Sequence, residues 1–336
     1  MENNQKRILD KGFCFSYSSL NKLVNHPQLF YKEYILKEKE IKTEKYLVEG
    51  AIIHNLLLEP DAFDDKFITT PELPSPNSIK VVTHIHKLYE ERLNLSSNPL
   101  AGEQIKTKSS LADFEDEILD YLEEINLHQK VSKEKRALKI IEPKSIDYFE
   151  HLKNSKDKTI IDSEVLAKCV DAIEIIRQDK GIMDLLGQGE ESEDKAVFNE
   201  LEIIEEEIIL KGIVDNVVID KKNKEIVIND FKTTSKTLSD FENTVEFYNY
   251  NLQAAIYEIL VSTWCSELIE DSEEYSVKFN FIVFDKYNYL YAFPVTEETM
   301  VRWREDLSKA LEKAMYHIKN KNYNLPYEYI TGLVKL

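Results

Sequence analysis

Apolar and polar positions alternate most regularly between about residues 196 and 295, and helical spacing dominates on either side. "AVFNELEI" followed by "EIILKGIVDNVVI" predicts a β-hairpin over 196–219 that turns near Glu205-Glu206. "KKNK" (221–224) reads as a tight turn and "EIVINDFKTT" (225–234) as a further strand. A helix follows over about 239–264, and "YSVKFNFIVF" and "YLYAFPV" form a second hairpin around "DKYN" (285–288). Trp303, Leu307, Leu311, Ala314 and Ile318 recur at helical spacing and predict a last long helix over about 297–320. Upstream, Ser16 or Ser18 can cap a short helix carrying Leu20, Leu23 and Val24; Pro27 interrupts it, and a second helix runs through Phe30 and Tyr34. Residues 44–67 predict a strong helix ended by Pro60, and 79–186 a mostly helical stretch with polar breaks at 94–103 and 153–159. Strands gathered in one segment, with helices before and after, imply an α/β core with a helical N-terminal portion. The expected organisation is one domain over 1–336, with a helical insertion over about 75–190 and the α/β core over about 196–320.

Composition narrows the function classes. With 43% hydrophobic residues in a chain of 336, a substantial core is affordable and disorder is excluded. Cys14, Cys169 and Cys265 form no CxxC pair, so a zinc knuckle or iron–sulfur cluster lacks its ligands. Sparse, unpaired cysteine fits a reducing cytoplasm. No run of 18 apolar residues exists, and the first residues do not read as a signal peptide; the expected setting is cytoplasmic, with no membrane partner. The net charge of −19 argues mildly against an anionic partner.

The strands raise a sharper question, because they carry Asp215, Asp230 and Lys232 among apolar residues. Side chains alternate faces along a strand, so Asp230 and Lys232 point the same way and Phe231 the other. Asp215 lies on the preceding strand, across a short turn, so two carboxylates and a lysine can meet at one edge. Two close carboxylates repel unless a cation separates them; Lys232 is one candidate and a divalent ion the stronger one. Hard oxygen ligands suit Mg²⁺ or Mn²⁺. A metal beside a lysine suits phosphodiester hydrolysis. Gln253 and Tyr257, four apart on the following helix, share a face that can lie over the strand ends. His54 falls on a stripe with Leu47, Ala51 and Leu58 that should face the core, and Gly50, one turn earlier, would admit a close neighbour. A neutral imidazole there could ligate the metal. An edge salt bridge, an amphipathic helix and a core histidine are the plainer readings of the same residues.

Taken in order, the Ser-x-Ser near the start (Ser16, Ser18) with "HPQLFYKEYI", then "GAIIH", "GIVD", "DFK" and "QAAIY", resemble the motifs of the PD-(D/E)XK nuclease superfamily, in particular its RecB-like branch and the phage RecE-type exonucleases. Residues 158–187 also resemble the helical segment that precedes the nuclease strands there. The resemblance implies a restriction-endonuclease-like mixed sheet flanked by helices. It implies that Asp215 and Asp230 bind the metal, with the Phe231 carbonyl as a backbone ligand and His54 as a further one. Lys232 would position the attacking water, with Gln253 and Tyr257 as an auxiliary pair. A glutamate upstream of Asp215 is also implied; Glu193, Glu200 and Glu202 all compete for that place. The implied activity is 5′→3′ exonuclease action on linear duplex DNA ends, in a closed homo-oligomer beside a single-strand annealing protein in a bacterial host cell. An endonuclease or a nuclease module of a repair or defence complex shares the same site residues. An inactive DNA-binding relative of the fold is a third reading, disfavoured because Asp215, Asp230 and Lys232 are all present. Basic clusters at Lys221, Lys222 and Lys224 in the turn beside the site, at Lys232 and Lys236 after it, and in "HQKVSKEKRALK" (128–139) would hold phosphates despite the acidic total, because screening makes local patches outweigh net charge.

Overall fold

The computed structural model describes residues 13–38, 45–70, 72–96, 108–155, 158–189, 192–205 and 209–334. Residues 1–12, Glu206 and most of the polar break over 94–103 lie outside them. The chain divides into two compact units, 1–59 with 172–336, and 60–171.

The first unit is built on a five-stranded mixed sheet in the order β1 (Lys195–Glu205), β2 (Leu210–Asp220), β3 (Glu225–Thr234), β4 (Ser276–Asp285), β5 (Leu290–Val295). All neighbours are antiparallel except β3 and β4, which run parallel. A parallel pair requires a crossover. It is made by α4 (Phe241–Tyr248) and α5 (Tyr250–Leu268). The single helix expected over 239–264 is therefore two. Asn249 breaks it with φ 56, a left-handed conformation that asparagine tolerates better than most residues.

The core lies where α5 meets one sheet face. Val217 and Ile219 of β2, Ile226 and Ile228 of β3 and Phe279, Phe281 and Val283 of β4 pack with Leu252, Ala255, Ile256 and Leu260 of α5. The same parity carries Asp215 and then Asp230 and Lys232 onto that face, beyond its apolar part. α6 (Glu297–Asn320), opened by the Thr296 cap, closes the core with Met300, Leu307, Ala314 and Ile318. At the N-terminus Ser16 caps α1 (Tyr17–Asn25) in a capping box with Ser19. Past Pro27 a short helical turn passes into a π-helical turn over Tyr31–Ile35. α2 spans Lys45–Leu58, and α3 spans Lys180–Leu185.

The second unit is mainly helical, with helices at Pro76–Ser96, Glu115–Glu124 and Pro143–Ser155 around Val82, Ile85, Phe114, Ile118 and Phe149. It also holds a two-stranded parallel sheet, Phe67–Thr70 with Thr159–Asp162. Sequence periodicity gave no sign of it, since four-residue strands are too short to alternate audibly. Residues 160–162 lie in the stretch expected to be mostly helical, and Thr159 in its polar break.

Among the described residues no helix is long and apolar enough to cross a membrane.

Candidate active site

Register explains how the acidic residues meet. Asn199 of β1 opposes Asn216 of β2, Asn216 opposes Asn229 of β3, and Asn229 opposes Asn280 of β4. The neighbours of these asparagines, Glu200, Asp215 and Asp230, therefore fall in a row across three strands on the opposite face. Hydrogen bonding between β2 and β3 stops at Asn216 and Asn229, and the Asp215 carboxylate takes over: its Oδ2 accepts from the Phe231 N–H at 2.8 Å. Glu200 has φ 50, a costly conformation for a non-glycine residue and one found where a side chain is being aimed.

The asparagine row supports this arrangement from behind. Asn216 Nδ2 donates to Asn199 Oδ1, Asn229 Nδ2 to Asn216 Oδ1, and Asn280 Nδ2 to Asn229 Oδ1, at 2.8, 2.8 and 3.0 Å. Their remaining donors reach carbonyls at helix C-termini: Asn199 to Leu58 of α2, Asn216 to Leu186 and Asn229 to Leu185. Helix-end carbonyls lack intrahelical partners, so each such bond satisfies an orphan acceptor. One row thus ties the helix of His54 to the strands of the carboxylates. Sequence reading missed it, although a signal was present: "NE", "DN" and "ND" put an asparagine beside each acid.

His54 completes the cluster. Its Nε2 lies 3.1 Å from Asp215 Oδ2 and its Nδ1 3.1 Å from Glu200 Oε1. The stripe argument that led to His54 fails in detail. Leu47 and Ala51 are exposed, while Ile52 and Leu57 are buried, so His54 lies at the margin of the buried face. Burial alone would lower the His54 pKa; the Asp215 hydrogen bond and the charges of Asp215 and Glu200 outweigh it and raise it. Asp215 shifts the other way: burial opposes ionisation, but His54 and Lys232 hold its pKa below the usual carboxylate value. Of the competing glutamates, Glu200 stands in the cluster, while Glu193 and Glu202 are exposed.

Asp230 and Lys232 form a second group beside the first. Lys232 Nζ lies 2.5 Å from Asp230 Oδ2 and 5.0 Å over the Tyr250 ring. Asp230 is fully buried, and beyond Lys232 no donor among the described residues reaches its oxygens. Burial, opposed by Lys232 and reinforced by the Asp215 charge, pushes its pKa up to about 7. Gln253 and Tyr257 are both buried; Gln253 Nε2 donates to the Tyr257 hydroxyl at 3.0 Å, and among the described residues Gln253 Oε1 meets no donor. Burial, with Asp215 and Asp230 nearby, raises the Tyr257 pKa well above its ordinary value. Tyr257 fits because Gly212 has no side chain: a Cβ there would meet the ring at 2.9 Å. Tyr250 and Tyr17 belong to this neighbourhood too, and the sequence did not point to either. Burial, then Tyr250 and Asp230, raises the Tyr17 pKa.

The basic turn is misplaced in the sequence reading. Lys221, Lys222 and Lys224 stand at the far end of the β2–β3 hairpin, six or more residues from either aspartate, or roughly 20 Å at the strand rise of about 3.3 Å per residue. Lys224 is moreover paired with Glu274, and Arg136 donates to the Val131 and Gln129 carbonyls.

The donor set fits a hard divalent cation. His54, Glu200 and Asp215 offer ligand atoms within 4.8 Å of one another, and Asp230 Oδ1 and Gln253 Oε1 add acceptor oxygens that no donor among the described residues meets. Carboxylate oxygens and one imidazole suit Mg²⁺ or Mn²⁺. Because His54 must be neutral to ligate, its raised pKa sets proton against metal.

Two predictions arise here. A Cβ at position 50 would lie 2.6 Å from Thr233 Oγ1, next to Lys232. Gly50→Ala should therefore push α2 off β3, lower stability by about 1–3 kcal/mol and carry His54 away from Asp215. Thermal melting with metal titration checks this; unchanged metal affinity would show that the close approach does not matter. The second concerns Asp230, whose pKa rises from 3.8 to about 7 on folding. Between those values the unfolded chain loses its proton first, so this group favours folding at low pH and loses that effect as pH rises to 7. In EDTA, the melting temperature of wild type minus that of Asp230→Asn should be more positive at pH 5 than at pH 8. A constant difference would contradict the shift.

The family model of the PD-(D/E)XK nuclease superfamily matches residues 14–323. A solved structure from Eubacterium rectale, described provisionally as an exonuclease, is similar at 12% identity with a TM-score of 0.42, over 95% of this chain and 86% of that one. No curated protein matches the chain. With nearly the whole length matched and the acidic row and lysine of β2 and β3 in place, the chain belongs to the PD-(D/E)XK nuclease superfamily.

Proposed function

We propose that the protein is a Mg²⁺- or Mn²⁺-dependent DNA exonuclease that degrades linear duplex DNA from its ends, with 5′→3′ polarity, in phage-type recombination. The observation that carries the chemistry is the His54, Glu200 and Asp215 cluster beside the Asp230–Lys232 pair at the diverging ends of β2 and β3. Asp215, Glu200 and His54 would hold the metal, with Asp230 and the Phe231 carbonyl completing its surroundings. When bound, a divalent ion stabilises negative charge on the phosphate and lowers the pKa of water. Lys232, its ammonium fixed between Asp230 and the Tyr250 ring, orients the attacking water. Burial would lower the lysine pKa, but Asp230 and Asp215 raise it, so Lys232 stays charged and donates rather than acts as a base. Gln253 Oε1 and the Tyr257 hydroxyl line the same space and can hold a water or a phosphate oxygen.

Polarity and end preference rest on the RecE-type motif resemblance, as do a closed homo-oligomer and a single-strand annealing partner. End-labelled linear duplex, with and without a 5′ phosphate, and closed circular duplex test the reading together, each with Mg²⁺ or with EDTA. Shortening from the 5′ ends of linear DNA, sparing the circle and stopping in EDTA, is the expected result. Cutting of the closed circle would assign an endonuclease instead, and no metal-dependent cleavage of any DNA would overturn the proposal.

A further inference from the structure

The end of the central strand that holds Lys232 continues outward as a chain of aromatic rings. Tyr250, under the Lys232 ammonium, stacks on Tyr248 with centroids 5.5 Å apart and planes 23° from parallel. Tyr248 meets Phe247 edge-on at 4.9 Å, and the Lys236 ammonium lies 5.6 Å over the Phe247 ring. Phe247 is 73% exposed and Tyr248 45%. Among the described residues neither ring belongs to a core cluster.

The corner that presents them is fixed. Tyr248 ends α4, and its carbonyl accepts from the Tyr17 hydroxyl at 2.5 Å and from Asn21 Nδ2 at 3.3 Å. The next residue, Asn249, is left-handed and donates to Asn21 Oδ1 at 2.9 Å. A backbone corner held this way loses little freedom on binding a ligand. Charge selects the ligand's direction of approach. Lys232 and Lys236 flank the rings on the strand side, while Glu242 and Glu246 are exposed on α4. An anionic chain is drawn along the lysines and repelled from the outer face of the helix.

The geometry points to the exposed Phe247 ring, buttressed edge-on by Tyr248, as a stacking platform for an unpaired nucleobase of a DNA strand whose backbone runs past Lys236 to Lys232. This rests on the nuclease reading of the Lys232 site and adds to it a means of holding a duplex end open. Every base has a π-face, so such a platform is indifferent to sequence. An apolar protein partner is the competing occupant; it has no use for lysines on one side of the rings, and it would not respond to a terminal base.

The probe is a short duplex with 2-aminopurine as its terminal base, titrated into the full chain in excess EDTA, with melting temperatures measured alongside. Wild type should alter the fluorescence of the terminal base. Phe247→Ala with Tyr248→Ala should abolish that change and weaken binding about ten-fold or more, at an unchanged melting temperature. Phe247→Trp should preserve the signal. Lys236→Ala should keep the signal and reduce the salt dependence of binding by about one phosphate contact. Phe247→Ala alone serves if the double variant does not fold. If wild type binds and cleaves DNA while the alanine variants keep both signal and affinity, the platform is refuted and the nuclease reading stands. If wild type neither binds nor cleaves, both fall.

Discussion

Asp215→Asn is expected to lower Mg²⁺-dependent cleavage of linear duplex DNA by a factor of about 10³ or more. Asp215 is where the site's contacts converge: one oxygen accepts from the Phe231 N–H and lies 3.1 Å from the His54 ring. The amide keeps the shape and one acceptor but removes a full charge from the cluster of three ligands. Metal affinity should fall with activity, since a hard cation gains most from anionic oxygen. A second readout is independent of turnover. His54 is protonated more readily than usual because the Asp215 hydrogen bond and charge outweigh burial. In the variant that support is gone, so the His54 titration, followed by nuclear magnetic resonance without metal, should move to lower pH. Cleavage within ten-fold of wild type would remove Asp215 from the site. Unchanged His54 titration would show that the two side chains are not coupled.

Lys232→Met should lower the single-turnover rate by about 10²–10⁴ while DNA and metal affinities change little, the range expected for a group that handles a proton or orients a water in the transition state. The substitution keeps the length of the side chain and much of its packing on Tyr250 while removing the ammonium. It also leaves Asp230 buried without its partner, so the Asp230 carboxyl should hold its proton to still higher pH. Lys232→Arg should not rescue, because the guanidinium is planar and wider than the ammonium seated between Asp230 and the ring. Equal losses in rate and metal affinity would instead make Lys232 a structural counter-ion.

The strands and the lysine were legible because they rest on local rules. β3 (Glu225–Thr234) and α6 (Glu297–Asn320) match their expected ranges, for each has a clean period and a turn or cap at its ends. Alternation alone put Asp230 and Lys232 on one face, and the structure keeps them 2.5 Å apart. The helical crossover was legible as helix but not as two helices, since nothing in "EFYNYNLQ" announces that Asn249 turns left-handed.

What the sequence could not decide was anything set by register between distant segments. Glu193, Glu200 and Glu202 were equivalent as letters. Glu200 joins His54 and Asp215 because β1 pairs with β2 in a register that sets it opposite Asp215, and because its backbone takes an uncommon conformation. The asparagine row is four separate polar residues until four strands align them. The lysine-rich turn seemed adjacent by residue number, yet an extended strand carries it away from the site. His54 was found for a reason that the helix does not obey, because helical period fixes relative directions and not which of them the rest of the chain covers. Local patterning thus determined the elements and the chemistry each could carry. Burial, register and long-range hydrogen bonds exist only between elements, so tertiary structure alone decided which acids share a cation, which one is kept close to neutral, and which rings remain in water.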